Sequence, residues 1–585
     1  MIRVKPGVIY TNSRQKIVKD IKPYKQFIIL FNIFDTVKKK GPNFLEQLID
    51  GDLSKGFKEK DLRFRFPPEP NGYLHIGHLK AICLNFNLGS KYSAPVNLRF
   101  DDTNPEKEAN EYVEAIKRDI KWLGFKWDKE CYASDYFDQL YVWAKELINK
   151  NLAYIDSQTS KEIADQKGTP TEAGIESPYR SRGVSENLII FEEMLQGKHK
   201  QGEHVLRAKI DMSSPNMLMR DPVIYRVMEA KHHRTGDKWK IYPMYDWTHG
   251  ESDYIEQVSH SLCTLEFEPH RELYDWFLDS IGPLKGIRPK QREFSRLNLS
   301  YTITSKRKLN ELIESGEVEG WDDPRMPTIS GLKNRGYTPE SLKNFALTVG
   351  VSKRENVIDV SLLEYCARTH LNKVAPRAMA VLDPIKVTLV NYPDQEEELD
   401  FDINPEDSGA GQRKIVFSKD IFIEREDFQE TPEEGFFRLS VGSEVRLKNA
   451  YIIKAIEATK DSQGNILELK CEYDPKSKSG SNTTESNRKV KSTIHWVSAK
   501  YAKQAIINVY DRLFSVEEPG KRGPLLNDLN KNSLSVKRAY VEPYLADSNE
   551  GESFQFQRAG YFIRTNNKKT LEFNKTVGLR DSWKK

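Results

Sequence analysis

The most informative stretch of the sequence is Arg65-Phe-Pro-Pro-Glu-Pro-Asn-Gly-Tyr-Leu-His-Ile-Gly-His78. Apolar and charged residues alternate where it begins, from Leu62 to Phe66, which predicts a strand that the two prolines end. Apolar residues then follow a helical spacing from Leu74 to Phe86, and Val96 to Phe100 predicts the next strand. Strand, helix and strand within about 40 residues form a βαβ unit, so we expect a parallel sheet.

Two histidines, His75 and His78, mark the start of the predicted helix and share one of its faces. A helix N-terminus after a strand favours anions, because its N–H groups are free and its dipole end is positive. Gly72 and Gly77 would let the backbone and a ligand come close. Two imidazoles placed there could hydrogen-bond to a phosphate whose charge grows during a reaction. A zinc-binding pair and two ordinary surface histidines remain as alternatives.

A run of three cations, Lys306 to Lys308, lies between an apolar segment that ends at Ile303 and a predicted helix that begins at Leu309. Such a run is usually a solvated face. After the end of a strand in a parallel sheet, however, the same cations could bind a triphosphate. This signal is weak alone, but together with the histidine element it indicates a nucleotide-binding site.

The composition is that of a large globular chain. Its 585 residues suggest about three to five domains, and 38% apolar residues with 30% charged residues exclude a wholly disordered chain. No apolar run approaches the roughly 18 residues of a membrane span. The 5 cysteines lie far apart without a Cys-x-x-Cys pair, which argues against a disulfide framework and a Cys-rich zinc site. A reducing, cytoplasmic compartment is the expectation.

Charge is distributed unevenly along the chain. The formal net charge is +4, but residues 1–40 alone carry +8, so the rest of the chain sums to −4. Residues 1–42 are predicted to be a poorly ordered basic extension, and a basic arm that contacts nucleic acid is the alternative. Any nucleic-acid partner must therefore meet local basic patches on the body of the protein.

The sequence pattern changes near residue 376. Short segments of alternating apolar and polar residues, separated by turn and charge clusters, predict β-barrels or sandwiches. We expect the charged segment Gln395 to Asp402 to be a connection between strands. The Ser-, Asn- and Lys-rich segment 476–492 is predicted to be a mobile loop. Earlier in the chain, Ile241 to Trp247 is predicted to be a buried strand.

With these motifs the sequence resembles the class I aminoacyl-tRNA synthetases, and among them the glutaminyl-tRNA synthetases. His75-Ile-Gly-His78 resembles the first class I signature, and Ser305-Lys306-Arg307 resembles the second. The likeness extends from about Asn43 to Trp583. The further matching stretches are Leu98–Pro105, Tyr242–Asp246, His260–Phe267, Gly320–Gly331 and Thr576–Trp583.

The resemblance implies a multidomain α/β fold. A Rossmann-like catalytic domain with a parallel sheet would carry an inserted acceptor-binding domain, a helical subdomain and two C-terminal β-barrels. The implied segments are the basic extension (1–42), the first half of the catalytic fold (43–135), the inserted tRNA acceptor-arm domain (136–244), the second half of the catalytic fold (245–296), the helical subdomain with the Ser-Lys-Arg loop (297–375), the proximal anticodon-binding barrel (376–415 and 510–585) and the distal one (416–509).

The implied activity is ATP-dependent attachment of L-glutamine to tRNA(Gln) by a monomer, with Mg²⁺ on the ATP and without a protein-bound zinc. His75, His78 and Lys306 would stabilise the charge that grows on the phosphoryl oxygens. The residues implied to bind ATP are Glu69, Asn71, Gly72, His75, Gly77, His78, Ser305, Lys306 and Arg307. Those implied to bind glutamine are Arg65, Asp101, Tyr245, Cys263 and Gln291, and those implied to read anticodon bases are Arg377, Arg438, Arg446 and Gln555.

Within the resemblance, choice of amino acid is the finer question. Asp101 is expected to hold the α-amino group, and the Tyr245 hydroxyl to accept a hydrogen bond that the glutamine amide donates and a glutamate carboxylate cannot. Glutamyl-tRNA synthetases typically have Arg where this chain has Cys263, which favours glutamine. The sequence departs from the family at Pro269, where a bacterial form has Asp. It also departs at Thr304, which replaces the usual Met, and at Gly435 and Phe437, where polar residues are expected.

Three alternatives remain open at the level of sequence. The nearest is a glutamyl-tRNA synthetase of the β-barrel type, which Cys263 opposes. The second is a small nucleotidylyltransferase, a class that lacks the long C-terminal β region of this chain. The third is an inactive synthetase-like RNA-binding module, which the intact histidines and Lys306 oppose.

Overall fold

The structure is a computed structural model that describes residues 41–580. The predicted basic extension therefore lies outside the described residues apart from its last two positions, and the final stretch of the resemblance, from Asp581, lies outside them as well.

Residues 41–57 form a compact unit of their own. It contains helix α1 (Phe44–Ser54), which a capping box begins. The Asn43 side chain accepts hydrogen bonds from the backbone N–H groups of Leu45 and Glu46, and the Glu46 carboxylate accepts one from the Asn43 N–H. These bonds satisfy three of the N–H groups that a helix start leaves unpaired.

From residue 58 to residue 375, strands and helices alternate. In chain order they are β1 (Phe64–Phe66), α2 (Ile76–Lys91), β2 (Val96–Phe100), α3 (Asn110–Trp122), β3 (Glu130–Tyr132), α4 (Phe137–Asn149), β4 (Ala153–Asp156), α5 (Ser160–Gln166), α6 (Val184–Leu195), β5 (Val205–Ala208), β6 (Val223–Val227), β7 (Ile241–Pro243), α7 (Tyr245–Ile255), β8 (His260–Thr264), α8 (Arg271–Ser280), β9 (Lys290–Phe294), β10 (Asn298–Leu299), α9 (Lys306–Glu314), α10 (Ile329–Arg335), α11 (Pro339–Val349), β11 (Val357–Ile358) and α12 (Val360–Val374).

The expected parallel sheet is confirmed. Strands β1, β2 and β3 pair in parallel, and so do β8 and β9. A backbone hydrogen bond of 3.0 Å from the Ser259 N–H to the Arg63 carbonyl places β8 beside β1. The spatial order β3-β2-β1-β8-β9 brings the carboxyl ends of β1, β2 and β8 to one edge, where open parallel sheets bind ligands.

The inserted segment, residues 136–244, forms an antiparallel sheet in the order β4-β5-β6-β7. Its apolar core is shared with α4, α6, α7 and α8. The strand predicted from Ile241 to Trp247 was wrong in its second half, because β7 ends at Pro243 and Tyr245 begins α7. A short apolar run does not distinguish a strand from a buried helix start, and Asp246 in the first turn favours the helix.

The C-terminal region is built from strands. In chain order they are β12 (Arg377–Ala378), β13 (Ala380–Val381), β14 (Pro384–Leu389), β15 (Glu397–Asp402), β16 (Gln412–Phe417), β17 (Asp420–Glu424), β18 (Glu444–Leu447), β19 (Ile452–Lys460), β20 (Ile466–Tyr473), β21 (Thr493–Ile494), β22 (Val497–Ser498), β23 (Lys503–Tyr510), β24 (Leu534–Val541), β25 (Ser553–Phe556), β26 (Gly560–Arg564) and β27 (Glu572–Val577).

Two sheets of seven strands form within residues 377–577, in the orders β12-β25-β26-β27-β23-β24-β13 and β21-β18-β19-β20-β14-β17-β22. The outermost strands of the first sheet, β12 and β13, are separated only by Met379. Those of the second, β21 and β22, are separated only by His495 and Trp496. Each sheet therefore curls until its two edges meet, which matches the two expected barrels.

Strand membership corrects one expectation. Strands β14, β15 and β16 lie in the segment expected in the proximal barrel, but β14 pairs with β17 and β20 of the second sheet. Leu399 and Phe401 of β15 face the same core as Ile385 of β14. The segment Gln395 to Asp402, expected to be a connection, therefore ends in a strand, because these alternating apolar residues outweigh its acidic ones.

Among residues 41–580, no helix is both long enough and apolar enough to cross a membrane.

Candidate active site

Helix α2 begins at the first signature, and His75 is its N-cap. The His75 Nδ1 accepts a 3.1 Å hydrogen bond from the Gly77 N–H, and the His78 Nδ1 accepts one of 3.1 Å from the His75 N–H. The two ring centroids are 3.9 Å apart. Burial lowers the pKa of His75 to about 3, and it lowers the pKa of His78 well below its usual value. Both rings are therefore neutral, and each carries its single proton on Nε2.

Lys306 brings the second signature to the first. It begins α9, and its Nζ donates hydrogen bonds to the Glu69 carbonyl, 3.3 Å away, and to the Asn71 side-chain oxygen. Burial lowers the pKa of Lys306 to about 8, and the carboxylates of Glu69 and Glu108 oppose that shift. Two motifs more than 230 residues apart in sequence thus form one site.

The glycines of the first signature leave room for this contact. A Cβ added to Gly77 would lie 2.9 Å from the His75 ring. Gly72 has a φ of +155°, and a Cβ there would lie 3.4 Å from Trp321 and 3.5 Å from the Lys306 side chain. A side chain at Gly77 would press on the His75 ring, whereas at Gly72 the space is sufficient and the positive φ is what favours glycine.

The remaining residues of the expected ATP site differ in exposure. Ser305 is the exposed N-cap of α9, and Arg307 is exposed on the turn that follows Lys306. Glu69 accepts a 2.6 Å hydrogen bond from the Asn71 amide, and burial raises its pKa. Glu108 was not predicted. It accepts a 2.9 Å bond from the Asn104 N–H, and burial raises its pKa to about 9.

On the amino-acid side of the site, the Arg65 side chain lies in a fully buried hydrogen-bond network. Its guanidinium donates to the Asp253 carboxylate at 2.9 Å and to the Leu262 carbonyl at 3.0 Å. It also contacts His249 at 2.7 Å and Ser261 at 2.8 Å, and the Cys263 sulfur lies 3.6 Å away. The positive charge of Arg65 is therefore partly compensated inside the protein by Asp253, a carboxylate that Arg99 shares.

Two of the residues expected to bind glutamine keep an oxygen without a hydrogen-bond partner among residues 41–580. They are the Asp101 Oδ2 and the Gln291 Oε1. The Asp101 Oδ1 accepts a 2.7 Å bond from Arg99, while the Gln291 amide donates to the Phe267 carbonyl at 2.8 Å. Because both side chains are buried, these oxygens are suited to a polar ligand.

Tyr245 and Cys263 lie beside these groups. The Tyr245 ring packs 5.2 Å from the His249 ring and 5.5 Å from Phe267, and it interacts electrostatically with Asp101 and Cys263. Burial would lower the pKa of His249, but Cys263 and Asp253 raise it to about 9. Beside the buried Asp101 carboxylate, which suits an ammonium group, the site has the uncharged side chains of Tyr245 and Gln291. This arrangement fits a zwitterionic amino acid with an uncharged polar side chain.

Comparison with known proteins agrees with this arrangement. A family model described as "tRNA synthetases class I (E and Q), catalytic domain" matches residues 61–373. Two models described as "tRNA synthetases class I (E and Q), anti-codon binding domain" match residues 375–474 and 493–565. A "Glutamine--tRNA ligase" of Enterobacter sp. (strain 638) is 53% identical over 93% of this chain and 98% of its own length. That of Tolumonas auensis is 54% identical over 92% and 98%.

The chain belongs to the glutamine–tRNA ligase family. Among solved structures, a glutamate tRNA ligase from Elizabethkingia meningosepticum has a TM-score of 0.40 at 18% identity, covering 53% of this chain and 70% of that one. That likeness is too low to carry an argument.

The family's anticodon-binding models cover the four residues expected to read bases, and the structure separates these residues into groups. Arg377 and Gln555 face each other in the pairing of β12 with β25. Arg377 is buried and donates to the Asn372 and Ala375 carbonyls at 2.9 and 2.8 Å. Gln555 donates to the Tyr561 hydroxyl at 2.8 Å.

The other two lie in the second sheet. Arg438 pairs with Glu426 at 3.1 Å and with Asp427 at 3.3 Å. Arg446 donates to the carbonyls of Ser477 at 3.0 Å and Ser486 at 2.8 Å, so segment 476–492 folds around its guanidinium. The mobility expected of that segment stays a prediction.

Three buried residues of the catalytic domain that hold the site residues in place were not predicted from the sequence. They are Arg99, His249 and Asp253, all buried. The Arg99 guanidinium bonds Asp253 at 2.7 Å, the same oxygen that Arg65 uses. One signal was available, because Arg99 stands in the fully buried strand β2, where an unpaired cation would be very costly.

Proposed function

We propose that this chain is a glutamine–tRNA ligase. It joins L-glutamine to the 3′ end of tRNA(Gln) through a glutaminyl adenylate, consumes ATP with its Mg²⁺, and releases AMP and diphosphate. The observation that carries this proposal is the meeting of Lys306 with Asn71 beside the neutral histidines of α2. This geometry supports chemistry at a phosphate ester held by one cation and two hydrogen-bond donors.

In the first step, a carboxylate oxygen of glutamine attacks the α-phosphorus of ATP, and the bond to diphosphate breaks. Negative charge grows on the phosphoryl oxygens. His75 and His78 have their Nδ1 atoms occupied by backbone N–H groups, so their Nε2–H groups are free to donate to those oxygens. Lys306 would place a positive charge beside the leaving diphosphate, and Ser305 and Arg307 would contact the same phosphates.

In the second step, the terminal ribose hydroxyl of the tRNA attacks the carbonyl carbon of the adenylate, and AMP leaves. Neither step requires a nucleophile from the protein. The rate would come from holding two negatively charged substrates in contact, which cationic groups and precise placement supply. Glu69, Asn71, Gly72 and Gly77 would form the wall of the ATP site.

Glutamine would be selected by the uncharged polar side chains that lie beside Asp101. Asp101 would accept a hydrogen bond from the α-ammonium group with its unpartnered oxygen. Tyr245, Cys263 and Gln291 would surround the side-chain amide. Asp253, 2.9 Å from the Arg65 guanidinium, would weaken the attraction of Arg65 for a glutamate carboxylate. This supports glutamine over glutamate, as do the names of the relatives.

The partners follow from the same proposal. The inserted segment would bind the acceptor arm of tRNA, and Arg377, Arg438, Arg446 and Gln555 would contact anticodon bases. The strand pairing supports revised barrel boundaries, with residues 377–381 and 503–577 in the proximal barrel and 384–498 in the distal one. We also propose that the protein is a monomer. The five buried, unpaired cysteines support a reducing compartment.

The test is a charging experiment with the purified chain, ATP and Mg²⁺. Glutamine-specific and glutamate-specific tRNA are each offered with either amino acid. We expect glutamine on its own tRNA and no transfer of glutamate. Transfer of glutamate would overturn the argument from uncharged side chains and favour the glutamyl alternative. Binding of tRNA without any transfer would favour an inactive binding module.

A further inference from the structure

A short hairpin of the inserted segment, His232 to Gly236, reaches the loop that follows β2. Its ends exchange backbone hydrogen bonds of 3.1 and 3.0 Å. The buried His232 ring places its Nε2 2.9 Å from the backbone carbonyl oxygen of Asp102. Asp102 is the neighbour of Asp101, the proposed ligand of the α-amino group. The hairpin thus contacts the backbone that carries this carboxylate.

The direction of that contact follows from the tautomer of His232. Its Nδ1 accepts hydrogen bonds from the N–H groups of Arg234 and Thr235, both at 3.2 Å. Burial lowers the pKa of His232, so the ring is neutral and has one proton. With Nδ1 occupied as an acceptor, the proton lies on Nε2. Nε2–H therefore donates to the Asp102 carbonyl oxygen.

The Asp102 side chain is held from a second direction. Its two oxygens accept hydrogen bonds from the Ser134 N–H at 2.9 Å and the Ser134 hydroxyl at 2.7 Å. Arg234 of the hairpin donates to the same hydroxyl at 2.8 Å, and its guanidinium lies 3.7 Å from the centre of the Tyr132 ring. The hairpin therefore contacts both the Asp102 backbone, through His232, and Ser134, which holds the Asp102 side chain, through Arg234.

Asp102, His232 and His233 also bring three metal-ligand atoms within 4.8 Å of one another. The hydrogen bonds oppose a metal site. A ligating Nε2 must be unprotonated, whereas that of His232 carries the proton. Each Asp102 oxygen already accepts one hydrogen bond from Ser134, which leaves His233, with its Nε2 3.4 Å from Asp102, as the one imidazole of the three groups with an unprotonated nitrogen facing the carboxylate. The cluster is better explained as a connection between two parts of the fold.

We propose that His232 is a positioning residue for amino-acid binding, which fixes the Asp101 carboxylate through the backbone of Asp102. Asp101 is tied on its other side, because its N–H donates to the Pro68 carbonyl at 3.1 Å. Its Oδ1 is held directly by Arg99 at 2.7 Å, so the two backbone ties set the position of the Asp101 main chain from which the unpartnered oxygen is presented. The hairpin thereby couples the inserted segment to the amino-acid site. This inference rests on the proposed function.

The test separates the two halves of the imidazole. In His232→Asn the amide oxygen takes the position of Nδ1, so the hairpin contacts remain and the bond to Asp102 is lost. In His232→Gln the amide nitrogen takes the position of Nε2, so the bond to Asp102 remains. His204→Asn is the matched control, since His204 lies in the same segment and its ring contacts Ser157 at 3.0 Å and the His199 ring at 4.4 Å, with no contact to Asp102 among residues 41–580. Charging kinetics are measured with each substrate varied in turn.

We expect His232→Asn to raise the KM for glutamine roughly fivefold to tenfold, the effect of one lost hydrogen bond. The KM values for ATP and tRNA should stay unchanged, and His232→Gln should restore the KM for glutamine. Equal losses in all three constants, or an equal KM for glutamine in both variants, would overturn the proposal. Activation of the wild-type chain by Zn²⁺ that the Asn variant loses would favour a metal site instead.

The wild-type charging result is read first, so the two proposals fail separately. If glutamate is the amino acid transferred, the proposed function fails, and the same variants are tested with the KM for glutamate. If glutamine is transferred and the variants behave alike, only the role of His232 fails.

Discussion

His75 and His78 are suited to act as hydrogen-bond donors because the backbone already fills their Nδ1 atoms. Burial keeps both rings neutral, so neither contributes a charge that would change near neutral pH. Lys306 is different, since burial brings its pKa down to about 8, within reach of ordinary buffers. At the scale of residues, the pH dependence of the site should therefore follow Lys306 first and then Glu108, whose pKa burial raises to about 9.

We expect the affinity for ATP to fall as pH rises above about 8, because neutral Lys306 no longer attracts the phosphates. The folded pKa lies below the unfolded value, so the charged form is penalised by folding below pH 8 and the penalty fades as pH rises. Equilibrium dialysis of ATP with Mg²⁺ from pH 7 to about 9.5 would measure the change, close to tenfold per pH unit at most. In Lys306→Arg, which stays charged, the fall near pH 8 should disappear, and only the change near pH 9 from ionisation of Glu108 should remain. An unchanged slope in that variant would assign the titration to another group.

At the scale of elements, Gly89 allows helix α2 to pack closely on strand β2. A Cβ on Gly89 would lie 2.4 Å from a Val96 methyl group and 2.9 Å from the Ala94 carbonyl oxygen. Among residues 41–580, Gly51 in α1 has no such neighbour within 4 Å. The same substitution should therefore have opposite effects in the two helices.

We expect Gly89→Ala to destabilise the protein by roughly 1–3 kcal/mol, since the strand or helix must shift. Gly51→Ala should instead stabilise α1 by about 0.5–1 kcal/mol through helix propensity. Thermal unfolding measures the first change, and hydrogen exchange of the α1 amides measures the second. Stabilisation by both substitutions would show that the contact with Val96 is not tight.

A second feature at the scale of elements is Glu251 on α7, which lowers the stability of the fold. It is fully buried, and neither carboxyl oxygen has a hydrogen-bond partner among residues 41–580. Burial raises its pKa well above the usual value, so its protonated form is favoured in the folded state. The stability it contributes is complete below its unfolded pKa of about 4.3 and is lost as pH rises through the folded pKa.

Glu251→Met should raise the free energy of unfolding by about 1–3 kcal/mol at neutral pH, because a buried polar group is removed at similar volume. The gain should be larger at alkaline pH. Glu251→Gln keeps the polar atoms and serves as the control, with little gain expected. Thermal unfolding between pH 6 and about 9 would measure both variants. A gain from Met that does not depend on pH would mean that Glu251 does not titrate there.

Local sequence signals predicted the elements that local forces determine. The start of α2 was correct to within two residues, because His75, the prolines and the apolar spacing all act within one turn. The buried network was not predictable in this way. Arg65 and Asp253 are 188 positions apart, and only the assembled sheet brings them together. The same applies to β14, because its alternating apolar residues predict a strand but do not indicate which barrel that strand joins.

At the scale of the whole molecule, a buried carboxylate joins the two barrels. Asp427, after β17 of the distal barrel, accepts two hydrogen bonds of 2.6 Å from Arg558 in the turn between β25 and β26. Arg438 of the distal barrel adds a contact at 3.3 Å to the same carboxylate. Arg413 of the distal barrel likewise pairs with the buried Glu542 of the proximal barrel at 2.7 Å, so the buried carboxylates of Asp427 and Glu542 both set the relative position of the barrels.

We expect Asp427→Asn to loosen the barrels and to raise the KM for tRNA while leaving the KM for glutamine unchanged. The loss leaves two arginines without a shared counter-charge and should cost roughly 2–4 kcal/mol, below the full value for a buried pair because Arg558 is 30% exposed. Glu398→Gln is the matched control, since its pair with Lys414 is 59% and 60% exposed and should contribute under about 1 kcal/mol. Limited proteolysis would detect opening of the barrel junction, and charging kinetics would show whether tRNA binding alone suffers. Equal effects of the two variants would mean that Asp427 does not hold the barrels together, and the anticodon surface would then have to be rigid within each barrel separately.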